Sequence, residues 1–173
     1  MAAGKNYICR QYENKGWISR DADKDVHYAI ELAKQDILKA FSQEAEKQNL
    51  SLLTPEGTIN RKELGKLLFS KPELLEKQEQ IVYPYIIKIT KDFIKENQNK
   101  DLIINATLLF KTPELLNLCD KVIYVKAPLL KRIIRARKRD HLPYKQIFKR
   151  FYSQRNLLKN YRKTGANISI VKN

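Results

Sequence analysis

Ala2-Ala3-Gly4-Lys5-Asn6 is the stretch whose reading decides the fold. It matches the closing half of the phosphate-binding pattern G-x-x-x-x-G-K-[ST], in which a buried strand turns into a helix and the turn's backbone N–H groups wrap a phosphate. The Gly-Lys pair is present, and Asn6 stands where Ser or Thr is expected. The first glycine of the pattern and its leading strand are missing from this sequence. Read outward from the loop, Lys5 to Lys15 predicts a helix with Ile8, Tyr12 and the ring of Tyr7 packed inward, closed by Gly16. Trp17 to Arg20 predicts a short strand running into Asp21-Ala22-Asp23.

Beyond Asp23 the period changes to helical. Val26, Ala29, Ile30, Leu32, Ala33, Ile37, Leu38 and Phe41 form one expected stripe. Asn60-Arg61-Lys62-Glu63 and Ser70-Lys71-Pro72-Glu73 read as capping boxes opening two further helices, and Pro84 is expected to kink or restart the second. Leu102-Ile103-Ile104 is a continuous apolar run of the kind found in buried parallel strands. Thr112-Pro113-Glu114 predicts a short capped helix, and Val122 to Val125 the next strand. Helices are expected from Pro128 to Arg139 and from Pro143 to Tyr161, then a last strand from Ile168 to Val171. Strands alternating with helices predict a parallel α/β sheet, with residues 25–97 as an inserted all-helical lobe. A strand so near the end leaves a sheet face uncovered. With the incomplete loop, this predicts a chain clipped at both ends relative to a complete domain, with poor ATP affinity and low stability.

The 173 residues fit one domain, and 43% hydrophobic content supports a real core. No apolar run reaches the roughly 18 residues a membrane span needs. The first residues lack the basic-then-apolar pattern of an export signal, and Cys9 and Cys119 are isolated. A cytoplasmic protein with two reduced thiols is expected. The net charge is +15, and residues 131–163 hold thirteen Lys or Arg against the single acid Asp140. Such a field attracts polyanions, whether nucleic acid, a membrane surface or a highly phosphorylated small molecule. It also fits a solvated basic face.

Three groups carry chemistry. Lys5 is placed to bridge a transferred phosphoryl group, or is an exposed lysine of a first turn. Asp21 and Asp23 sit at the carboxyl end of a predicted strand, where open α/β sheets bind ligands. One carboxylate can orient a hydroxyl and the other organise Mg²⁺ through water; equally, Asp23 can be a helix N-cap and Asp21 a turn former. Arg132, Arg135, Arg137, Arg139, Arg150 and Arg155 suit bidentate phosphate binding, with Asp140-His141-Leu142-Pro143 as the turn of a lid. Phe148, Phe151, Tyr152 and Tyr161 interleave with these cations, as in single-strand binders, but their spacing also fits a helix core stripe, the reading preferred here. His141 is expected at the surface and His27 in a structural role.

In this order the pieces resemble the dephospho-CoA kinase family. The match spans nearly the whole chain. Asp21-Ala22-Asp23 matches the family's Asp-Ala-Asp. Gly57-Thr58-Ile59-Asn60-Arg61-Lys62-Glu63-Leu64 with Leu68-Phe69 is similar to its Gly-x-Ile-x-Arg-x-x-Leu…Phe segment. Leu130-Lys131-Arg132 resembles its Leu-x-Arg, Arg150 and Gln154 its Arg-x-x-x-Gln, and Val171-Lys172-Asn173 the start of its Asn-Gly turn. Tyr83-Pro84 departs from the family's His-Pro. Thr107-Leu108-Leu109-Phe110-Lys111 departs from its Pro-Leu-Leu-x-Glu.

The resemblance implies a P-loop nucleotide kinase fold: a parallel sheet flanked by helices, a helical acceptor-binding insert at 25–97, and an Arg-rich lid at about 129–155 within a single domain of core segments 1–24 and 98–173. It implies ATP-dependent phosphorylation of the ribose 3′-hydroxyl of dephospho-CoA, with Mg²⁺. Ala2, Ala3, Gly4, Lys5, Asn6, Tyr7, Arg132 and Arg139 would then surround ATP. Asp23 would be the base with Asp21 in support, Lys5 and Arg132 would stabilise the transferred group, and Asn6 would ligate the metal. The partner so implied is a small molecule, with no membrane and no nucleic acid, and a monomer is expected. Two other readings stand beside it: a related nucleoside or nucleotide kinase, and a basic RNA-binding protein on a decayed kinase scaffold.

Overall fold

Helices alone fill the middle of the chain, and strands alternate with helices on either side of them. The computed structural model describes residues 1–173. In order these are α1 (Lys5–Glu13), β1 (Ile18–Asp21), α2 (Ala22–Leu32), α3 (Lys34–Glu46), α4 (Arg61–Leu68), α5 (Pro72–Glu96), β2 (Leu102–Asn105), a 3₁₀ turn (Leu109–Lys111), α6 (Pro113–Leu116), β3 (Val122–Lys126), α7 (Leu129–Asp140), α8 (Tyr144–Ser153), α9 (Leu157–Lys163) and β4 (Ile168–Lys172). β1 pairs with β2, and β3 with β4. The second pair is parallel, in a register running from Val122↔Ile168 to Lys126↔Lys172. A parallel pair requires a long crossover, which α7, α8 and α9 supply. All four expected strands are present, and the expected class of parallel strands flanked by helices holds.

Contacts divide the chain into two compact units: Met1–Arg20 with Asn99–Asn173, and Asp21–Gln98. In the second unit α2 packs on α5, and Ala29, Ala33, Ile37, Phe41, Leu64, Leu67 and Val82 are almost fully buried. The stripe expected to run unbroken from Val26 to Phe41 is interrupted: α2 and α3 meet at Ala33, where φ is −84° and ψ 10°. Leu32 turns to solvent there, while Ala33, Ile37 and Phe41 keep the four-residue spacing inward. α5 continues through Pro84 as one helix rather than restarting there. The proline removes one backbone donor, but Val82, Ile86, Ile89 and Phe93 bury one face on both sides of it. Asn60 caps α4 as expected, its Oδ1 accepting the Glu63 N–H at 3.2 Å. Ser70 does not cap α5; Lys71 takes that position, and the Ser70 hydroxyl donates back to the Leu67 carbonyl. Thr112 likewise donates to the Leu109 carbonyl rather than capping α6.

In the first unit, Gly16 follows α1 with φ +92°, and the Trp17 N–H returns to the Tyr12 carbonyl. The two rings meet edge to face at 5.2 Å. Tyr161 of α9 is buried; its hydroxyl accepts the Leu109 N–H at 3.0 Å and donates to the Thr107 carbonyl. The single helix expected from Pro143 to Tyr161 is two, α8 and α9, parted at Gln154–Asn156. Ala136 of α7 packs with Ile147 and Phe151 of α8, and Met1, Ala2, Ile133 and Leu142 close over them. The aromatic stripe is therefore only half a core stripe. Phe151 and Tyr161 are buried, but Tyr144, Phe148 and Tyr152 lie together on the outer face of α8.

Candidate active site

Gly4 caps α1 with φ +95°, a left-handed value that a side chain resists. The N–H groups of Lys5, Asn6 and Tyr7 have no intrahelical acceptor, and the helix dipole adds a partial positive charge where they point. This is the geometry that binds a phosphate. The loop is also sterically closed: a Cβ on Gly4 would overlap the Asn173 carboxamide, whose Nδ2 donates to the Ala3 carbonyl at 3.0 Å. The same missing Cβ would lie 3.6 Å from an Arg135 guanidinium nitrogen.

β2 anchors the other side of the loop. The Lys5 ammonium donates to the Asn105 carbonyl at 3.4 Å, and the Asn105 amide donates to Asn6 Oδ1 at 3.2 Å. Asn105 ends β2 and is only 7% exposed, and its own Oδ1 is buried without a protein partner. The sequence carried a signal for it, a polar residue closing the apolar run Leu102–Ile104, but the run alone did not single it out. Tyr7 departs from expectation: its ring is 56% exposed, and Cys9 is the α1 side chain buried instead.

The arginines sort into different tasks. Arg132 Nε donates to the Met1 carbonyl at 2.9 Å, and its guanidinium lies 4.6 Å over the Phe151 ring. The Met1 amine donates to Gln154 Oε1. Burial first, then the positive charges of Arg132, Arg139 and Lys5, push that amine down to about 6. Arg139 forks onto its neighbour Asp140, with Nε to Oδ1 at 2.6 Å and Nη2 to Oδ2 at 3.0 Å. Its hydrogen bond holds the Asp140 carboxyl below the usual range. Arg137 donates to the His141 and Leu142 carbonyls and lies over Tyr144, ending α7 where exposed His141 takes φ +51°. Arg155 covers Tyr152 at 3.5 Å. Arg135 thus lies beside Gly4 and Arg132 on the Met1 carbonyl, while Arg139 is engaged by Asp140 and Arg137 and Arg155 bond to nearby carbonyls and rings.

In the other unit, Asp21 rather than Asp23 caps α2, its Oδ1 accepting the Asp23 N–H at 3.1 Å. Asp23 is exposed in the first turn. His27, Tyr28, Glu31, Thr54, Thr58, Ile59, Asn60, Arg61 and Lys62 line a cavity of about 560 Å³. Glu31 fixes one wall by accepting the Ile59 N–H at 2.9 Å. No three His, Cys, Asp or Glu side chains cluster as metal ligands. Asn6 and Asn105 bring amide oxygens to the side of the loop where Lys5 meets β2.

The family model CoaE, dephospho-CoA kinase, matches residues 1–173. A dephospho-CoA kinase of Treponema denticola is 34% identical over 175 residues, 99% of this chain and 78% of that one. One from Treponema pallidum is 33% identical over 156 residues, 88% of this chain and 74% of its own length. Among solved structures, the dephospho-CoA kinase from Campylobacter jejuni superposes with a TM-score of 0.68 at 29% identity, covering 100% of this chain and 84% of that one. A crystal structure of a Thermus thermophilus protein gives a TM-score of 0.80 with the same coverage; at 20% identity it is alike in fold.

Proposed function

The chain belongs to the dephospho-CoA kinase family, and from that premise we propose that it transfers the γ-phosphoryl group of ATP to the ribose 3′-hydroxyl of dephospho-CoA, giving CoA in the last step of CoA biosynthesis. The observation that carries the reading is the left-handed Gly4 turn at the N-terminus of α1, with Lys5 in its first position, Arg135 beside it and Arg132 on the Met1 carbonyl. Phosphoryl transfer asks little covalent work of a protein; it asks for positioning and for positive charge over the equatorial oxygens.

The backbone from Ala2 to Tyr7 holds the β- and γ-phosphates. Lys5, tied at 3.4 Å to β2, meets the transferred group from a fixed side. Arg132 and Arg139 belong to a lid at about 129–155 and neutralise charge from above, with Arg135 beside Gly4. Asp23 takes the proton of the acceptor hydroxyl. Asp21 supports it by capping the helix that carries it. The helical segment 25–97 holds the acceptor, and its cavity suits part of a long, phosphorylated molecule. A bound Mg²⁺ would offset the charge of the phosphates, and Asn6 with Asn105 would be the residues to hold it. The Asn6 amide oxygen is a hard donor of the right kind, and the buried unpartnered oxygen of Asn105 beside it fits the same ion. We place the reaction in the cytoplasm, carried out by a monomer on small molecules; no helix is long and apolar enough to cross a membrane.

ADP release coupled to dephospho-CoA tests the proposal. Turnover is expected in the wild type and a loss of at least about 10²-fold in Lys5→Ala and in Asp23→Asn. Undiminished turnover in both variants removes these assignments. Salt-sensitive binding to RNA without turnover removes the activity itself.

A further inference from the structure

A buried polar atom with no partner is costly enough that folded proteins rarely keep one without a use for it. Asn105 has such an atom, and it lies beside the loop. The residue ends β2, at the edge of an α/β sheet where ligands bind. Its carbonyl receives the Lys5 ammonium, its amide nitrogen donates to Asn6 Oδ1 at 3.2 Å, and its Oδ1 is buried and unpaired. The carbonyl and the amide nitrogen of Asn105 both reach into the turn at Lys5 and Asn6.

We propose that Asn105 is a positioning residue for the divalent cation of this kinase: its Oδ1 is the acceptor for the ion or for one of its coordinated waters, and its Nδ2 fixes the Asn6 amide with the oxygen toward Asn105. The pair makes sense as a unit. Asn6 is neutral and has two amide rotamers, of which only one turns oxygen toward Asn105. A hydrogen-bond donor on Asn105 selects that one. The ligand class is a small, hard, hydrated ion, because the donors are amide oxygens and an imidazole, thiol or carboxylate cluster is absent. The proposal rests on the kinase reading above.

The test measures binding of the non-hydrolysable analogue AMP-PNP by calorimetry, in EDTA and in Mn²⁺, with the Mn²⁺ paramagnetic resonance spectrum of the bound complex as a second readout. Asn105→Leu keeps the branched shape and removes both polar atoms; Asn105→Asp keeps an oxygen. In the wild type, Mn²⁺ is expected to tighten the nucleotide at least tenfold. In Asn105→Leu the gain from Mn²⁺ falls below about threefold, with affinity in EDTA within twofold of wild type and Tm not reduced. Asn105→Asp restores most of the gain, which a merely structural role would not do. Wild-type metal dependence and an unchanged spectrum in Asn105→Leu would overturn the role of Asn105 alone. A wild type that binds no nucleotide in either condition would overturn the kinase reading and this inference together.

Discussion

The Asn173 carboxamide occupies the space that a side chain on Gly4 would need. The loop is therefore closed from outside as well as bent from within, and Gly4 answers to two constraints at once.

Gly4→Ala should be costly on both counts. The φ of +95° and the displaced carboxamide together predict a loss of about 1–3 kcal/mol in stability. Asn173→Ala alone should cost much less. In the double variant the steric part of the Gly4→Ala penalty disappears and the backbone part stays, so a denaturant-melt cycle should show non-additivity of at least about 0.5 kcal/mol. Strict additivity would mean that the two residues do not meet.

Asp21 and Asp23 should separate cleanly by experiment. Loss of the cap bond in Asp21→Ala is expected to cost about 1 kcal/mol of stability, with a modest loss of rate. Asp23→Asn should do the reverse, lowering kcat by about 10²–10⁴-fold with a smaller stability change. Thermal melts beside steady-state kinetics on both variants check the division. A larger kinetic defect in the Asp21 variant would exchange the two roles.

Arg135 was one cation among six in the sequence, and the structure sets it against the loop. Arg135→Ala is expected to raise the KM for ATP by at least about tenfold, consistent with loss of a charged contact worth roughly 1.5–3 kcal/mol. Arg137→Ala, whose side chain closes α7, should leave that KM nearly unchanged and lower Tm. Equal effects on KM would mean that the field of the whole helix matters more than placement.

The acceptor should be read by the cavity of the helical unit. Arg61→Ala and His27→Ala are expected to raise the KM for dephospho-CoA by about fivefold to tenfold, with the KM for ATP unmoved; tenfold corresponds to about 1.4 kcal/mol. If ATP affinity moves instead, the cavity does not serve the acceptor.

Cys119 supplies a test by pH. Burial first, then the negative charge of Asp120, pushes its thiol up from the ordinary range. The anion is the disfavoured form, so its contribution is constant at low pH and stability falls as pH climbs above the unfolded thiol's pKa. Alkylation of the native protein by iodoacetamide should therefore have its midpoint at higher pH than that of the unfolded chain, and unfolding should accelerate it at pH 8. Rapid native labelling at pH 8 would contradict this.

Much of the fold was legible because its signals are local. Leu102–Ile104 and Val122–Val125 carry their own β pattern, and the Asn60 cap needs only residues three apart. What was not legible depends on partners far along the chain. Nothing near Ser70 shows that its hydroxyl will finish α4 rather than start α5. The break at Ala33 leaves the hydrophobic spacing almost intact, so periodicity could not reveal it. In the site, Gly4, Lys5 and the Asp-Ala-Asp run were visible as motifs. Asn105 was not, and Arg135 stood out only as one of six arginines, since each acquires its place only when a strand or helix about 100 or more residues away is folded against α1.

Trp17, the one tryptophan of the chain, packs edge to face on Tyr12 at the far end of the helix that begins at Gly4. The helix between is nine residues, about 13 Å long. Indole emission responds to the orientation and wetness of its surroundings, and a tyrosine at 5.2 Å feeds it excitation. The protein therefore carries an intrinsic lamp at one end of the rod whose other end is the proposed nucleotide site. Titration without any attached dye would show whether occupancy at Gly4 stiffens α1 along its length or stops at its first turn.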